Sequence, residues 1–193
     1  MDRQTVKRLI QQSIQGDETA FRKLVELHQP FVYSVVFRII CNEFDTEEVV
    51  QETFIKVWKH LSDFRNEMRF STWLYKIVIN LCYDRLKAEK SRRKVFDRTV
   101  EYDVLYNILS ENNIEKDYIN QDQANIIRCL TRKLTPKQKV VFVLSELEQL
   151  SVEEITSITG LSAEKIKSNL YCARIEIRKK LAEISKIRGT YAI

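Results

Sequence analysis

Apolar residues recur along most of this 193-residue chain every three or four positions, the spacing that places them on one face of an α-helix. The chain has only three Gly and two Pro, so few residues interrupt this pattern. Asp17 can cap an early helix, and the apolar stripe resumes after Pro30. The sequence therefore predicts an all-α protein, and no segment indicates a strand. This first stripe contains Phe21, Leu24, Val25, His28, Val32, Val35, Val36, Ile39 and Ile40.

Two more helices are predicted in the first half of the chain. One is capped by Asp45 or Thr46, and the other runs from Trp73 to about Lys90, after a short loop from 63 to 72. In the first of them we expect the inward-facing residues to be Val50, Phe54, Val57, Trp58 and Leu61.

The helix from Trp73 has one apolar side and one unusual polar side. Its polar side gathers Trp73, Lys76, Asn80, Tyr83, Asp84 and Lys87. Aromatic rings interleaved with cations suit single-stranded nucleic acid, because bases stack on rings and phosphates pair with charges. An ordinary solvated face, on which Asp84 and Lys87 pair across one turn, explains the spacing equally well.

The periodicity weakens between Ser91 and about Gln121, where polar residues dominate, and only 104–109 suggests a short helix. Helical spacing then returns, and Thr135, Pro136 and Gln138 form a capped helix start with proline at its first position. We therefore expect two small helical domains, 1–90 and 123–193, joined by a polar linker, 91–122.

The second domain contains a helix-turn-helix pattern. Ser151 and Glu154 form a capping box, Gly160 suits a tight turn, and Ser162 can cap a second helix. That second helix carries side chains that can contact base edges or phosphates: Lys165, Lys167, Ser168, Asn169, Tyr171 and Arg174. From these residues alone, an amphipathic helical hairpin with a solvated basic face remains an alternative.

Net charge and its distribution give a modest indication of the kind of partner. The net charge is +5 with a pI near 9.0, which favours a polyanionic partner. Lys and Arg crowd 85–98 and 165–188, whereas 101–122 is mainly acidic. The four cysteines lie far apart, without zinc spacing, and no signal sequence or bilayer-length apolar run is visible. We expect reduced thiols, a cytoplasmic protein and no membrane insertion.

Catalytic motifs are missing from the sequence. No carboxylates have metal-ligand spacing, neither His lies near a plausible nucleophile, and no glycine-rich phosphate loop occurs. We therefore expect a protein that is not an enzyme and that needs no cofactor or metal.

Three segments together resemble a known family. DTEEVVQETFIKVW (Asp45–Trp58) resembles the polymerase-binding segment of bacterial sigma factors of the extracytoplasmic function (ECF) class. FSTWLYKIVINLCYDRLK (Phe70–Lys87) resembles the promoter-melting segment of that family, and LTPKQKVVFVLSELEQLSVEEIT (Leu134–Thr156) resembles its region 4. The resemblance covers nearly the whole chain in the family's order and favours the nucleic-acid interpretation of both polar faces.

The resemblance implies a function and a set of site residues. The protein would bind core RNA polymerase, read the minus-10 and minus-35 elements of promoter DNA, and hold the melted nontemplate strand, with an anti-sigma factor as a further partner. Polymerase contacts would come from Asp45, Glu48, Gln51, Glu52 and Ile55. The minus-10 element would contact Arg65, Asn66, Met68, Arg69, Phe70, Ser71, Trp73, Lys76, Asn80, Tyr83, Lys87, Arg92 and Arg93. The minus-35 element would contact Lys165, Lys167, Ser168, Asn169, Tyr171 and Arg174.

One departure from the family's pattern lies in the predicted recognition helix. It begins AEKIKSN, where many members have Gly-Thr-Val followed by Arg-Ser-Arg, so the promoter bases do not follow from the resemblance. Two other functions compete with the sigma-factor interpretation. One is a stand-alone helix-turn-helix regulator, which would bind duplex DNA tightly without polymerase, and the other is an adaptor whose basic faces only aid solubility.

Overall fold

The computed structural model describes residues 3–65, 68–93, 126–128 and 130–190, and the side chains in those ranges except at 90–93 and 184–190. Within them the chain is helical and no strand occurs, which confirms the predicted all-α class. Its main helices are α1 (Arg3–Ile14), α2 (Glu18–Ile40), α3 (Glu43–His60), α4 (Phe70–Arg93), α5 (Pro136–Phe142), α6 (Val152–Thr159) and α7 (Ala163–Thr190). Most of the predicted linker, with its short helix at 104–109 and its acidic run, lies outside the described residues.

Helix α2 begins as predicted. The Asp17 carboxylate accepts hydrogen bonds from the backbone N–H groups of Thr19 and Ala20, at 2.9 and 3.0 Å. The helix then continues through Pro30 to Ile40 and ends at Cys41, whose φ of 57° is left-handed. The apolar positions before and after Pro30 therefore form one continuous buried stripe.

Helix α3 begins earlier than predicted. Its N-cap is Asn42, whose side-chain oxygen accepts from the Asp45 N–H at 2.9 Å, so the prediction that Asp45 or Thr46 caps this helix is wrong. The Thr46 hydroxyl instead donates to the Asn42 carbonyl at 2.7 Å. Asp45 and Thr46 share the Ser/Thr/Asp/Asn preference of a cap, which explains the error, because Asn42 three residues earlier has the same preference.

The predicted inward face of α3 is also wrong at one position. Val50, Phe54, Val57 and Leu61 are buried, but 42% of Trp58 is exposed. Its ring meets that of Phe21, a half-buried residue packed against the core, with ring centroids 4.6 Å apart. Trp58 therefore belongs partly to the molecular surface.

Helix α4 is longer than predicted, starting at Phe70 instead of Trp73 and ending at Arg93. A single 3₁₀ turn, Leu61–Asp63, and a short loop connect it to α3. At 100° per residue, one side of α4, which includes Leu74, Val78 and Leu81, belongs to the core of the N-terminal helices. A second side is also buried, and this stripe consists of Tyr75, Ile79, Cys82 and Leu86.

The C-terminal helices pack against α4, so the two halves of the described chain share one core. α4 contacts both α5 and α6. One continuous cluster of buried apolar residues includes Leu24 and Leu74 from the first half and Leu144, Ile155 and Ile166 from the second. The two predicted helical domains therefore pack against each other in this structure, an arrangement called the closed form below.

The helix-turn-helix forms as the sequence predicts. Thr135 with Gln138 and Ser151 with Glu154 each make both hydrogen bonds of a capping box. Gly160 ends α6 with a left-handed φ of 70°, and the Ser162 hydroxyl accepts from the Lys165 N–H at 3.4 Å. Between α5 and α6 lies a π-helical turn, Val143–Leu147, which the sequence does not reveal.

No helix among the described residues is long and apolar enough to cross a bilayer.

Replacing Asn42 by Ala should lower the free energy of unfolding by about 1 kcal/mol, because it removes the side chain that caps α3. Chemical denaturation monitored by circular dichroism measures this change. The control is Glu47→Ala, an exposed residue of the same helix, which should change stability by less than about 0.5 kcal/mol. Equal effects of the two substitutions would show that Asn42 does not act as a cap.

Candidate polymerase-binding and nucleic-acid-binding surfaces

Helix α3 presents an acidic and apolar face to solvent. Glu48, Gln51, Glu52 and Ile55 are all exposed there, and 53% of Ile55 is accessible. Two residues that sequence reasoning missed extend this face by helical spacing, Phe44 at 67% exposure and Trp58 at 42%. Carboxylates beside three exposed large apolar side chains are typical of a protein-binding surface rather than of a solvated helix.

Asp45 lies at the edge of this face, and a residue of α4 binds its carboxylate. The Arg85 guanidinium donates to the Asp45 carboxylate and, at 2.5 Å, to that of Glu48. The hydrogen bond to Asp45 is the main reason why the pKa of Arg85 is raised. Arg85 therefore fixes α3 to α4, a role that the helical pattern of the sequence does not disclose.

An aromatic cluster supports the loop before α4. The Phe70 ring lies 5.4 Å from that of Phe64, 5.7 Å from that of Trp73 and 5.0 Å from that of His28. Phe70 is only 7% exposed. In this structure the ring of Phe70 therefore lies beneath the loop and supports it, and its contact with DNA stays a prediction.

The other described residues predicted to contact DNA in the loop and at the start of α4 are accessible. Arg65, Arg69 and Ser71 are exposed and Met68 is half-buried, whereas Asn66 lies outside the described residues. The loop borders an open cleft of about 590 Å³. Helix α1 supplies Arg3 and Lys7 to the wall of this cleft, a contribution that no motif predicts because α1 precedes all of them.

His28 lies in the same cleft. Its Nδ1–H donates to the Leu24 carbonyl at 2.9 Å, and its ring meets the edge of Phe70. Burial lowers the pKa of His28 below the ordinary value of 6.5, although the bond to Leu24 acts in the opposite direction. His28 is therefore a neutral supporting residue near pH 7, consistent with its position on the apolar stripe.

The predicted polar face of α4 is present. Asn80 and Lys87 are exposed and Lys76 is partly exposed on one side of the helix. Trp73 and Tyr83 flank them and are half-buried against the core. Burial raises the pKa of Tyr83 to about 12, so its hydroxyl stays neutral and able to donate a hydrogen bond. The side chains of Arg92 and Arg93 lie outside those described.

Asp84 and Lys87 do approach each other, as the alternative interpretation of this face expects. The Lys87 Nζ lies 3.8 Å from the Asp84 Oδ1, and both side chains are more than 70% exposed. An exposed ion pair of this kind contributes little to the free energy of folding, so Lys87 can leave the Asp84 carboxylate and bind a phosphate instead.

Helix α7 carries the second cationic face. Lys165, Lys167, Ser168 and Tyr171 are exposed, with 67% of Tyr171 accessible. Two of the predicted residues already have partners, since Asn169 donates to the Lys165 carbonyl at 2.7 Å and Arg174 to Glu146 at 2.7 Å.

The same stripe continues to the exposed Arg178, which sequence reasoning missed although it lies four residues after Arg174. Two carboxylates lie near the start of this face. Hydrogen bonds from backbone N–H groups and from the Ser151 and Ser162 hydroxyls lower the pKa of Glu153 and of Glu164, and Lys167 adds to both shifts. Lys167 therefore has an electrostatic environment that is partly acidic.

Two family models match the chain, Sigma-70 region 2 at residues 24–92 and Sigma-70 region 4 at residues 124–177. The ECF RNA polymerase sigma-E factor of Haemophilus influenzae is 31% identical over 181 residues, covering 92% of this chain and 95% of that protein. The chain belongs to the ECF family of RNA polymerase sigma factors. The ECF sigma factor SigW of Bacillus subtilis is 28% identical, covering 93% of this chain and 98% of its own.

Two solved structures share the fold of this sigma factor. CnrH in complex with the cytosolic domain of CnrY has a TM-score of 0.65 at 23% identity, covering 93% of this chain and 98% of its own. The sigma factor RpoE of Bartonella quintana, in complex with the anti-sigma factor NepR, has a TM-score of 0.62 at 21% identity, covering 84% and 96%.

Family membership decides between the functions that the sequence left open. With sigma regions 2 and 4 in one chain, the protein acts in promoter-specific transcription initiation with RNA polymerase, and the stand-alone regulator is disfavoured. The family consists of initiation factors and not of enzymes.

The lowered pKa of His28 predicts how the stability of the fold depends on pH. The unfolded chain binds a proton on this residue more readily than the folded one, so stability should fall as the pH drops through 6.5. In His28→Gln the free energy of unfolding should depend less on pH between about pH 7 and pH 5. His60→Gln, which changes the exposed second histidine, should leave the dependence in place. An unchanged slope in His28→Gln would contradict the assignment.

Proposed function

We propose that three separate surfaces of this sigma factor divide the work of initiation. The acidic and apolar face of α3 binds core RNA polymerase, the loop before α4 with the polar face of α4 binds the melted minus-10 element, and the cationic face of α7 binds the minus-35 element. The observation that carries the proposal is that each surface is exposed and has its own chemistry. The domain division is region 2 at 1–90, a linker at 91–122 and region 4 at 123–193.

The polymerase face is argued from its exposed apolar residues. Ile55, flanked by the carboxylates of Glu48 and Glu52, offers a patch that water solvates poorly and that a basic protein surface would complement. Asp45 contributes through its ion pair with Arg85, which limits the side-chain freedom lost on binding. Gln51 lies on the same exposed side.

The minus-10 surface is argued from stacking and charge. Trp73 and Tyr83 are only half-buried and lie on the same side of α4 as Lys76, Asn80 and Lys87, and base stacking on aromatic rings contributes about 1–3 kcal/mol per base. The cleft beside the loop has an aromatic floor and a cationic wall from Arg69, which suits an unstacked base and its phosphate. Phe70 supports this cleft from beneath. Arg65 and Met68 complete the described part of the loop, and Ser71 lies beside it in the first turn of α4. Asn66, Arg92 and Arg93 are assigned here by the resemblance alone.

The minus-35 surface is argued from the helix-turn-helix. Ile166, Ala173 and Ile177 form the buried side of α7. At 100° per residue, Lys167, Tyr171, Arg174 and Arg178 share one exposed side, whereas Lys165 lies on the other flank of the buried side. Lys165, Lys167 and Ser168 lie in the first turns, where a recognition helix approaches base edges. Tyr171, Arg174 and Arg178 follow, and Asn169 would exchange its bond to Lys165 for a base.

This sigma factor would act by binding energy alone and would make or break no covalent bond. We place it in the cytoplasm, where core polymerase and promoter DNA are found. We also propose an anti-sigma partner, because one similar solved structure is that of a sigma factor with the anti-sigma factor NepR.

The substitution Glu52→Lys tests the polymerase face. It should weaken binding to core RNA polymerase roughly tenfold, or about 1.4 kcal/mol, because it reverses a charge at the proposed contact. Fluorescence anisotropy of labelled sigma factor titrated with core polymerase measures the affinity. Glu26→Lys makes the same change at an exposed position of α2 and should leave the affinity unchanged. Equal affinities for all three proteins would remove α3 from the polymerase contact.

Replacing Lys165 and Lys167 together by Ala tests the minus-35 surface. Promoter binding by the holoenzyme should weaken, and the slope of log affinity against log salt should become shallower by about 2, since two phosphate or base contacts are lost. Filter binding over a salt series measures both quantities. Replacing the exposed Lys137 and Lys133 of the same domain is the control. An unchanged slope would refute the role of this face.

A further inference from the structure

Glu148 joins the two halves of the molecule. Its Oε1 accepts from the Arg38 guanidinium of α2 at 2.5 Å, and its Oε2 accepts from the Tyr75 hydroxyl of α4 at 3.2 Å. Both carboxylate oxygens of this region 4 residue therefore bind region 2. The Glu148 side chain is only 11% exposed, so these bonds replace most of its hydration.

The backbone positions Glu148 for this contact. It follows the π-helical turn Val143–Leu147, and its N–H donates to the Val143 carbonyl at 3.0 Å. The next residue, Gln149, has a left-handed φ of 55°, which is uncommon for a residue with a Cβ. A widened turn and a strained neighbour thus direct one carboxylate toward region 2.

An apolar contact lies beside this carboxylate. The second buried side of α4, formed by Tyr75, Ile79, Cys82 and Leu86, has the spacing of one helical stripe and lies on the part of the helix that meets region 4. Leu86 and Ile40 border a cleft of about 190 Å³ whose opposite wall includes Pro136. The proposed DNA face of α4 lies on a different side of the helix, so closure covers the stripe and leaves the DNA face accessible.

The closed molecule is too small to reach both promoter elements. A compact chain of 193 residues has a radius of gyration of about 16 Å, and hence a diameter of about 40 Å. The minus-35 and minus-10 elements are named for positions about 25 base pairs apart, which is about 85 Å at about 3.4 Å per base pair. Each DNA face is exposed, but the two cannot bind their elements at the same time until region 4 leaves α4.

We propose that this closed arrangement is the resting form of the free sigma factor, and that Glu148, bound to Arg38 and Tyr75, is the latch that holds region 4 on region 2. The inference rests on the proposed assignment of α4 and α7 to two separate promoter elements. The polymerase face on α3 is exposed in the closed form, so core polymerase can bind first and region 4 can be released afterwards. Closure then lowers the fraction of molecules competent to bind a complete promoter.

A charge exchange tests the latch. Glu148→Lys and Arg38→Glu each place like charges together and should open the molecule, and the double variant Arg38→Glu/Glu148→Lys should close it again. Small-angle X-ray scattering of the free protein should give the compact radius of about 16 Å for the unsubstituted protein and an increase of roughly a quarter or more for each single variant. Circular dichroism should show the same helix content in all of them.

The matched control is Glu146→Lys, two residues before Glu148. Glu146 pairs with Arg174 inside region 4, so its reversal should leave the radius unchanged. An extended unsubstituted protein, compact single variants, or failure of the double variant to close would each overturn the latch. These scattering results do not depend on any DNA contact and stand even if the assignment of the surfaces fails.

A second measurement tests the resting role. In abortive transcription with core polymerase and limiting sigma factor, the two single variants should reach half-maximal activity at several-fold lower concentration than the unsubstituted protein, and the double variant should return to its value. Variants that are open by scattering but show no such shift would overturn the claim that closure restrains promoter binding.

Discussion

Helix α4 is buried on two sides and exposed on the third, and most of the structure depends on this division. Each residue turns the helix by 100°, so residues at helical spacing along its 24 positions, Phe70 to Arg93, form three stripes on different sides of the helix. One stripe completes the region 2 core, one receives region 4, and one carries Lys76, Asn80 and Lys87 to solvent. A helix that is apolar on two sides stays folded only while both apolar sides are covered. Opening the molecule therefore has a free-energy cost that a partner must offset.

Arg85 links the surface proposed for polymerase to the helix proposed for DNA. Its guanidinium leaves the side of α4 and binds Asp45 and Glu48 on α3, so the two helices hold a fixed rotation relative to each other. A polymerase surface that approached these carboxylates would compete directly with Arg85 or recruit it into a network. Binding at α3 can thus change the hydrogen bonds of Arg85 on α4 without any movement of the buried core.

Local features of the fold could be predicted from the sequence, and long-range ones could not. The caps at Asp17, Thr135 and Ser151 and the turn at Gly160 depend on residues within four positions, and all of them form. Asn42 was missed because Asp45 has the same capping chemistry, and Trp58 because its position on the stripe leaves it at the rim of the core. The burial of Phe70 does not follow from its motif, because its ring packs on His28, which lies 42 residues earlier, as well as on the nearby Phe64. The contacts of Glu148 with Arg38 and Tyr75 span 110 and 73 residues, which periodicity does not reveal.

The closed form also explains why region 4 needs a charged latch in addition to an apolar contact. Apolar burial has no direction, so a purely apolar stripe on α4 would accept several orientations of α6 and any other exposed helix. The Glu148 carboxylate satisfies two donors only in one orientation, since Arg38 and Tyr75 lie on different helices. If region 4 docked in another register, a buried carboxylate and a buried hydroxyl would lose their partners, at a cost of about 1–3 kcal/mol for each unsatisfied group. The same requirement makes release cooperative, because the carboxylate loses both partners when region 4 rotates away.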